Sequence, residues 1–468
     1  MSSERAPFVL PHDVLVLGFR VTGRAVAARL MALGCRVRAI EDNPEPSRAS
    51  EAAAEAGVEL IARPSPVEAA RAAASCDLVV VSPGVPLTHP ALVAAAPGAV
   101  VSEIELAYRL TDVPIIAVTG TNGKTTVTSL VTSMLRAAGI DAVAAGNIGT
   151  PLIEIAPTAG SAEPKPDYLV AEVSSFQLAL TEEFHPVVGT WLNLADDHLD
   201  WHGSRDRYAA AKERIWSRQT QDDVAVANCG DPIVMAAARR ERGRVVTFGD
   251  GPVCDYHAQK GLLYAPGGFV FGEASQLRRA FPHDVENVLA ATATAVAAGG
   301  TVEACFEAAA SFDAGRHRIE LVREVSGVRY YDDSKATAPS AVIAALAGFG
   351  SVVLLAGGRN KGLDLGEIAS YVRAHPALHV RGVVAIGEAA HEVGRAFAGV
   401  APVLLAGSMP EAVEAASDIA EPGDAVLLSP GCASFDWYSS YAERGDDFAR
   451  VVRDLAVLVP STAAGAGL

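Results

Sequence analysis

The sequence predicts an α/β protein of three domains, and three observations carry that prediction. Short apolar, β-branched runs alternate with alanine-rich stretches of helical spacing along nearly the whole chain. Two glycine-rich turns, residues 18–23 and 120–123, each join such a run to a helical stretch. The length of 468 residues is more than one hydrophobic core ordinarily serves. The expected division is an N-terminal Rossmann-like domain (1–109), a central P-loop ATPase-type domain with a mostly parallel sheet (110–314), and a C-terminal Rossmann-like domain (315–468).

Composition narrows the classes. The net charge of −17 argues against a nucleic-acid partner, which needs a basic face. The N-terminus lacks a signal-peptide layout and no apolar run approaches the ~18 residues of a membrane helix, so no membrane insertion and a cytoplasmic location are expected. Six scattered cysteines (35, 76, 229, 254, 305 and 432), without a C-x-x-C pair, are expected to be free thiols.

In the first domain, residues 13–18 predict a strand, 22–33 a helix and 35–40 the next strand, a Rossmann-type βαβ opening. Arg20 stands where the middle glycine of a dinucleotide fingerprint belongs, which disfavours a redox cofactor and a dehydrogenase. Asp42, at the second strand's end, is placed for a ribose or base edge, and Thr22 for an adjacent phosphate. A solvated strand-end carboxylate and a plain turn remain the bland alternative.

The second domain opens on Pro114-Ile-Ile-Ala-Val-Thr-Gly-Thr-Asn-Gly-Lys-Thr-Thr126. A β-branched strand, a glycine turn, and Lys124 with Thr125 at a helix start make a phosphate cradle. Val118 replaces the first glycine of a strict Walker A motif. Further on, a strand over 168–172 ends in Glu172, and one over 188–193 runs into a His/Asp cluster containing His198 and His202. Two such strand ends beside a phosphate loop suit a metal on a nucleotide's γ-phosphate. A zinc pair at His198 and His202 is the alternative, weakened by Gly203 and the aspartates, which predict a loop. Lys212, by itself, reads as a solvated helix lysine.

In the third domain, strands over 328–331, 351–356, 383–386, 403–405 and 425–428 alternate with helices. Their loops carry Lys335 and Thr337, the segment 357–364, and the segment 429–436. Pro339 suits a first helical position.

Taken in order, Gly120-Thr-Asn-Gly-Lys-Thr-Thr126, Gly146-Asn-Ile-Gly149, Glu172-Val-Ser-Ser-Phe-Gln177, Asp197-His198, Ala211-Lys212, Asp333-Ser-Lys-Ala-Thr337 and Ser429-Pro-Gly-Cys-Ala-Ser-Phe435 resemble the Mur ligases over essentially the whole chain. The Asp-Ser-Lys-Ala-Thr and closing Ser-Phe segments resemble in particular the members that add D-glutamate. The resemblance implies a UDP-binding, an ATPase and an amino-acid-binding domain. The implied activity is an ATP-dependent amide ligation of D-glutamate to UDP-N-acetylmuramoyl-L-alanine in peptidoglycan precursor synthesis, through an acyl phosphate, releasing ADP and phosphate.

The same resemblance implies residue roles. Gly120, Thr121, Asn122, Gly123, Lys124, Thr125, Thr126, Asn287, Arg318 and Asp333 would bind ATP. Thr125 and Glu172 would hold one Mg²⁺, and His198 with Lys212, as a carbamate, a second. Lys124, His198, Lys212 and Lys335 would be catalytic. Val21, Thr22, Asp42 and Asn43 would hold the uridine end, with Asn147 near the sugar nucleotide. Thr337 and Lys361 would take the α-carboxylate of D-glutamate, with Ser434, Phe435 and Tyr441 around its side chain. A monomer is expected. Arg20 and Asp284 depart from the usual pattern at the uridine and adenine ends. The rivals are a folylpolyglutamate synthase-type ligase, against which the Asp333–Thr337 and Ser434–Phe435 segments speak, and a regulatory nucleotide binder with a dead site.

Overall fold

The computed structural model describes residues 8–42 and 53–455. Its apolar runs become strands of three sheets, each flanked by helices. The first sheet holds β1 (Asp13–Leu17), β2 (Arg36–Glu41), β3 (Glu59–Ala62), β4 (Leu78–Val81) and β5 (Val100–Ser102), all parallel in the order β3-β2-β1-β4-β5. β1 and β4 bury nearly every residue, as a parallel strand covered on both faces must.

The second sheet holds β6 (Ile115–Thr119), β7 (Ala142–Gly146), β8 (Tyr168–Glu172), β9 (Val188–Trp191), β10 (Val224–Asn228), β11 (Arg244–Asp250), β12 (Tyr256–Gln259), β13 (Leu262–Ala265) and β14 (Phe269–Glu273). Their order is β14-β13-β12-β11-β10-β9-β6-β8-β7. The sheet is parallel from β7 to β12, and β13 and β14 add an antiparallel edge. The three strands β12 to β14 lie beyond the expected set: they are short and joined by turns at Gly261 and Gly267, so their sequence carries no long apolar run.

These two sheets form one compact unit. A single apolar cluster runs from Val14 and Leu30 through Ile104 and Leu106 to Ile115, Leu169 and Trp216. Helix Glu103–Leu110 carries the chain from one sheet to the other, and its acids are buried. Glu105 Oε2 accepts the amides of Glu182 and Phe184, both at 2.9 Å, and Arg109 Nε donates to Glu105 Oε1 at 2.7 Å.

The third sheet lies in the second compact unit. It holds β15 (Glu320–Val325), β16 (Val328–Asp332), β17 (Ser351–Gly357), β18 (His379–Ile386), β19 (Val403–Ala406) and β20 (Ala425–Leu428) in the order β15-β16-β20-β17-β18-β19. All pairs are parallel except β15 with β16. Helix Pro339–Leu346 begins on Pro339, as its preset φ favours.

One expectation is overturned. Cys229 and Cys254 form a disulfide, with Cα atoms 6.0 Å apart. β10 and β11 are neighbouring parallel strands, so the residue after β10 and the turn after β11 meet although 25 positions separate them in sequence. Cys35, Cys76, Cys305 and Cys432 are free thiols, as expected.

Candidate active site

The phosphate loop forms because β6 stops at Thr119 and Gly123 takes a left-handed conformation (φ +84°) that starts helix Lys124–Ala137. Packing also requires glycine here. A Cβ on Gly120 would stand 2.9 Å from Leu192 Cβ, and one on Gly123 2.5 Å from Asn287 Oδ1. Asn287 therefore lies against the loop, although it is far away in sequence. The loop is held from the next strand end: Asn193 Oδ1 accepts the amides of Thr121 at 3.0 Å and Asn122 at 2.9 Å. The amides of the helix's first turn have no intrahelical partner, an arrangement that suits an anion.

Lys124 Nζ folds back onto the carbonyls of Gly120 and Thr121, both at 2.9 Å. Lys212 is buried on helix Arg205–Glu213, and its Nζ donates to the same Gly120 carbonyl at 2.7 Å. It lies over the Tyr208 ring, 4.7 Å from the centroid. Two lysines thus share one acceptor. Lys212 is not the solvated helix lysine its local sequence suggests.

β8 and β9 flank β6 on either side, so Glu172 and the segment after β9 reach the loop from both directions. Glu172 is buried; its Oε1 accepts Asn147 Nδ2 at 2.8 Å, while its Oε2 is buried without a hydrogen-bond partner. A buried carboxylate with one oxygen unpaired suits a cation. His198 sits in a left-handed conformation (φ +52°) before a single helical turn, Leu199–His202, and packs on Phe176 at 4.7 Å between ring centroids. That turn replaces the expected loop. His202 is buried, pairs with Ser175 Oγ at 2.9 Å and stacks on the same Phe176 ring at 5.7 Å between centroids, so its Nε2 is engaged by a hydroxyl.

In the first sheet, Gly18 and Gly23 approach so closely that a Cβ on Gly23 would overlap the Gly18 carbonyl. Arg20, at the head of helix Val21–Ala32, is exposed. Val21 is exposed, Thr22 half-buried, and Asp42 exposed with its Oδ2 3.1 Å from His89 Nε2. Asn43 lies outside the described residues. Trp201 Nε1 donates to the Val85 carbonyl at 2.9 Å, and Val85 Cγ2 would lie 3.7 Å from a Cβ on Gly18. The turn after β4 thereby links the first glycine loop to the His198 segment.

In the second unit, β16 ends in Asp332, and the following loop carries Asp333, Lys335 and Thr337. Asp333 is buried, accepts Ser429 Oγ at 2.8 Å, and burial pushes its carboxyl up to about 7. Lys335 and Thr337 are half-buried, and Lys335 Nζ lies 5.1 Å from the Tyr441 ring centroid. Arg318 is half-buried, Ser434 buried, and Lys361, Phe435 and Tyr441 are exposed.

Three supports escape sequence reasoning. Asn193 is legible only once β9 is known to neighbour β6. His317 Nδ1 lies 2.6 Å from Asp332 Oδ2, bracing the residues directly before Arg318 and Asp333. Arg444, almost fully buried, donates from Nε to Ser334 Oγ at 2.9 Å and from Nη2 to the Ser334 carbonyl at 2.8 Å. A lone histidine or helix arginine carries no such signal in sequence.

Comparison with known proteins agrees with this geometry. Residues 12–102 match the Mur ligase MurD-like N-terminal domain, 118–295 the Mur ligase middle domain, and 317–432 the Mur ligase glutamate ligase domain. The chain belongs to the Mur ligase family. This Mur ligase is 38% identical to a UDP-N-acetylmuramoylalanine--D-glutamate ligase of Geobacillus kaustophilus, covering 96% of this chain and 99% of the relative. It is 45% identical to a protein of the same name from Desulfosudis oleivorans, over 81% and 83% of the two chains. Among solved structures it shares the fold of a pseudomurein peptide ligase type C from Methanothermus fervidus (TM-score 0.59, 14% identity, 94% and 99% covered). It also shares that of MurF ligase from Thermotoga maritima in complex with ADP (TM-score 0.57, 17% identity, 90% and 96% covered).

Proposed function

We propose that this Mur ligase joins D-glutamate to UDP-N-acetylmuramoyl-L-alanine at the expense of ATP, in peptidoglycan precursor synthesis. The observation that carries the reading is near-full-length similarity to D-glutamate ligases, together with an intact phosphate loop flanked by Glu172 and Lys212.

The chemistry asks for two anions, a carboxylate and a triphosphate, to be held together, so cations and positioning do most of the work. Lys124 is placed to leave its loop carbonyls for the β/γ-phosphates, with the helix amides around it. Asn287 takes the nucleoside side of the loop. Thr125 and Glu172 would hold one Mg²⁺, and His198 with Lys212 a second; the unpaired oxygen of Glu172 is the feature that favours this. Bound Mg²⁺ would supply charge neutralisation of the phosphate oxygens. Carbamoylation of Lys212 would replace a buried cation beside Lys124 with an anion, removing a repulsion. Arg318, Asp333 and Lys335 serve the nucleotide and reacting phosphate. Thr337, Lys361, Ser434, Phe435 and Tyr441 serve D-glutamate. Val21, Thr22, Asp42, Asn43 and Asn147 serve the sugar nucleotide. The carboxylate of UDP-N-acetylmuramoyl-L-alanine attacks the γ-phosphorus and ADP leaves, giving the acyl phosphate. The amine of D-glutamate then attacks its carbonyl carbon and gives up a proton, and phosphate leaves with the former carboxylate oxygen.

Among the described residues no helix is long and apolar enough to cross a membrane. We place the protein in the cytoplasm as a monomer.

The test is phosphate release by purified protein with ATP, Mg²⁺ and UDP-N-acetylmuramoyl-L-alanine. D-glutamate should stimulate release well above L-glutamate or no amine. Equal release with all three would sink the reading.

A further inference from the structure

Three strand-end loops of the third sheet are tied into one frame. The first is residues 358–365 after β17, which carries Lys361. The second, residues 387–389, follows β18. The third, residues 429–437, follows β20 and carries Ser434 and Phe435. Backbone bonds join the first to the third: the Arg359 amide donates to the Ala433 carbonyl at 2.8 Å, and the Ala433 amide to the Arg359 carbonyl at 3.0 Å. Gly357 and Gly358 precede this bridge at φ +124° and +129°, conformations other residues rarely adopt. A Cβ on Gly358 would overlap the Ala433 carbonyl, so the two loops approach too closely for a side chain there.

The side chain of Arg359 extends the frame to the second loop. Its Nε and Nη2 donate to the two oxygens of Glu388 at 2.9 and 2.7 Å, a bidentate pair. Glu388 is fixed in turn, because its amide donates to Asp436 Oδ2, in the third loop, at 3.0 Å. The circuit Ala433–Arg359–Glu388–Asp436 therefore closes on the residues either side of Ser434 and Phe435. Lys361 lies two residues beyond Arg359, in a stretch that turns at Gly362 (φ +82°) and is tied besides by Asn360, whose Nδ2 donates to the Leu363 carbonyl at 2.9 Å and to Glu392 Oε1 at 2.8 Å.

We propose that the Arg359–Glu388 pair is a positioning device for the D-glutamate site, setting the distance between Lys361 and the Ser434–Phe435 segment. It touches no substrate. Opening the pair removes the tie between the Lys361 loop and the loop after β18, leaving the Ala433 bridge and the Asn360 contacts to hold it less firmly. That weakens the grip on one carboxylate while leaving the phosphate loop and its chemistry untouched. The inference rests on the D-glutamate reading above.

The experiment measures KM for each substrate in Arg359→Ala, Glu388→Gln and the charge-swapped double variant Arg359→Glu/Glu388→Arg. Each single variant should raise KM for D-glutamate about two- to fivefold, the size expected when a half-exposed bidentate pair is lost. Their kcat and their KM for ATP and for UDP-N-acetylmuramoyl-L-alanine should stay unchanged, and the double variant should recover most of the loss. Unmoved D-glutamate KM, a parallel change in every KM, or a double variant worse than both singles overturns the proposal. The unaltered protein is assayed alongside: absence of D-glutamate-dependent release overturns both readings, whereas normal release with unmoved variants overturns this one alone.

Discussion

The two compact units solve the placing of a polar site differently. In the first, the phosphate loop, Glu172 and Asn193 come from three adjacent parallel strands, β8, β6 and β9, and sheet hydrogen bonding sets their spacing. The backbone amides that this loop presents at a helix start cannot be mutated away. In the second, the site loops after β16, β17 and β20 are spaced by side chains: His317 on Asp332, Ser429 on Asp333, Arg444 on Ser334, Arg359 on Glu388. A site spaced by a sheet tolerates substitution of its supports, whereas one spaced by polar side-chain contacts is sensitive to their loss, most of all at the buried ones.

The largest expected effect tests the first unit. Lys212→Ala should cut ligase activity about a thousandfold, the scale of losing a charge-organising group in a water-poor site. Folding should be retained, since the sheet holds the loop, and a short carboxylic acid in the buffer should restore part of the rate. Full activity without rescue would remove Lys212 from the site and with it the contrast between the units.

Next comes a support of the second unit. Gly445 packs so tightly under the His317–Asp332 pair that an added Cβ would overlap His317 Nδ1. Gly445→Ala should destabilise the second unit by about 2–3 kcal/mol through overpacking. Calorimetry should show one transition lowered and the other unmoved. A uniform shift of all unfolding would mean the units do not unfold separately.

The smallest effect is a pH slope in the first unit. Burial raises the Glu103 carboxyl to about 7, although its oxygens accept the Ile153 amide at 2.7 Å and Gln177 Nε2 at 3.4 Å. The folded state therefore holds this proton more tightly than the unfolded chain does. Its contribution to stability is full below the ordinary carboxylate range and declines as pH rises from about 4 to about 7. Glu103→Gln should flatten that decline, so that the variant gains stability at pH 8 relative to pH 4. Parallel Tm–pH curves for the two proteins would count against a buried, proton-holding Glu103.

Much of the first unit was legible in sequence. A phosphate loop is a local signal: strand, glycine turn, lysine and helix lie within 25 residues. The strand ending in Glu172 matches the expected one. Lys212 was legible only through resemblance, because its burial depends on a helix folding back under the loop. The Cys229–Cys254 pair was misread because spacing alone does not reveal that β10 and β11 are neighbours.

By itself the sequence determined the α/β class, the order of the strands along the chain and the residue types each loop presents, because periodicity and turn chemistry are local. The order of strands across each sheet was decided only in the tertiary structure, and with it whether a polar side chain is solvated, buried on a carbonyl or paired across a loop. Those outcomes depend on which strand ends become neighbours, and neighbourhood is a property of the closed sheet.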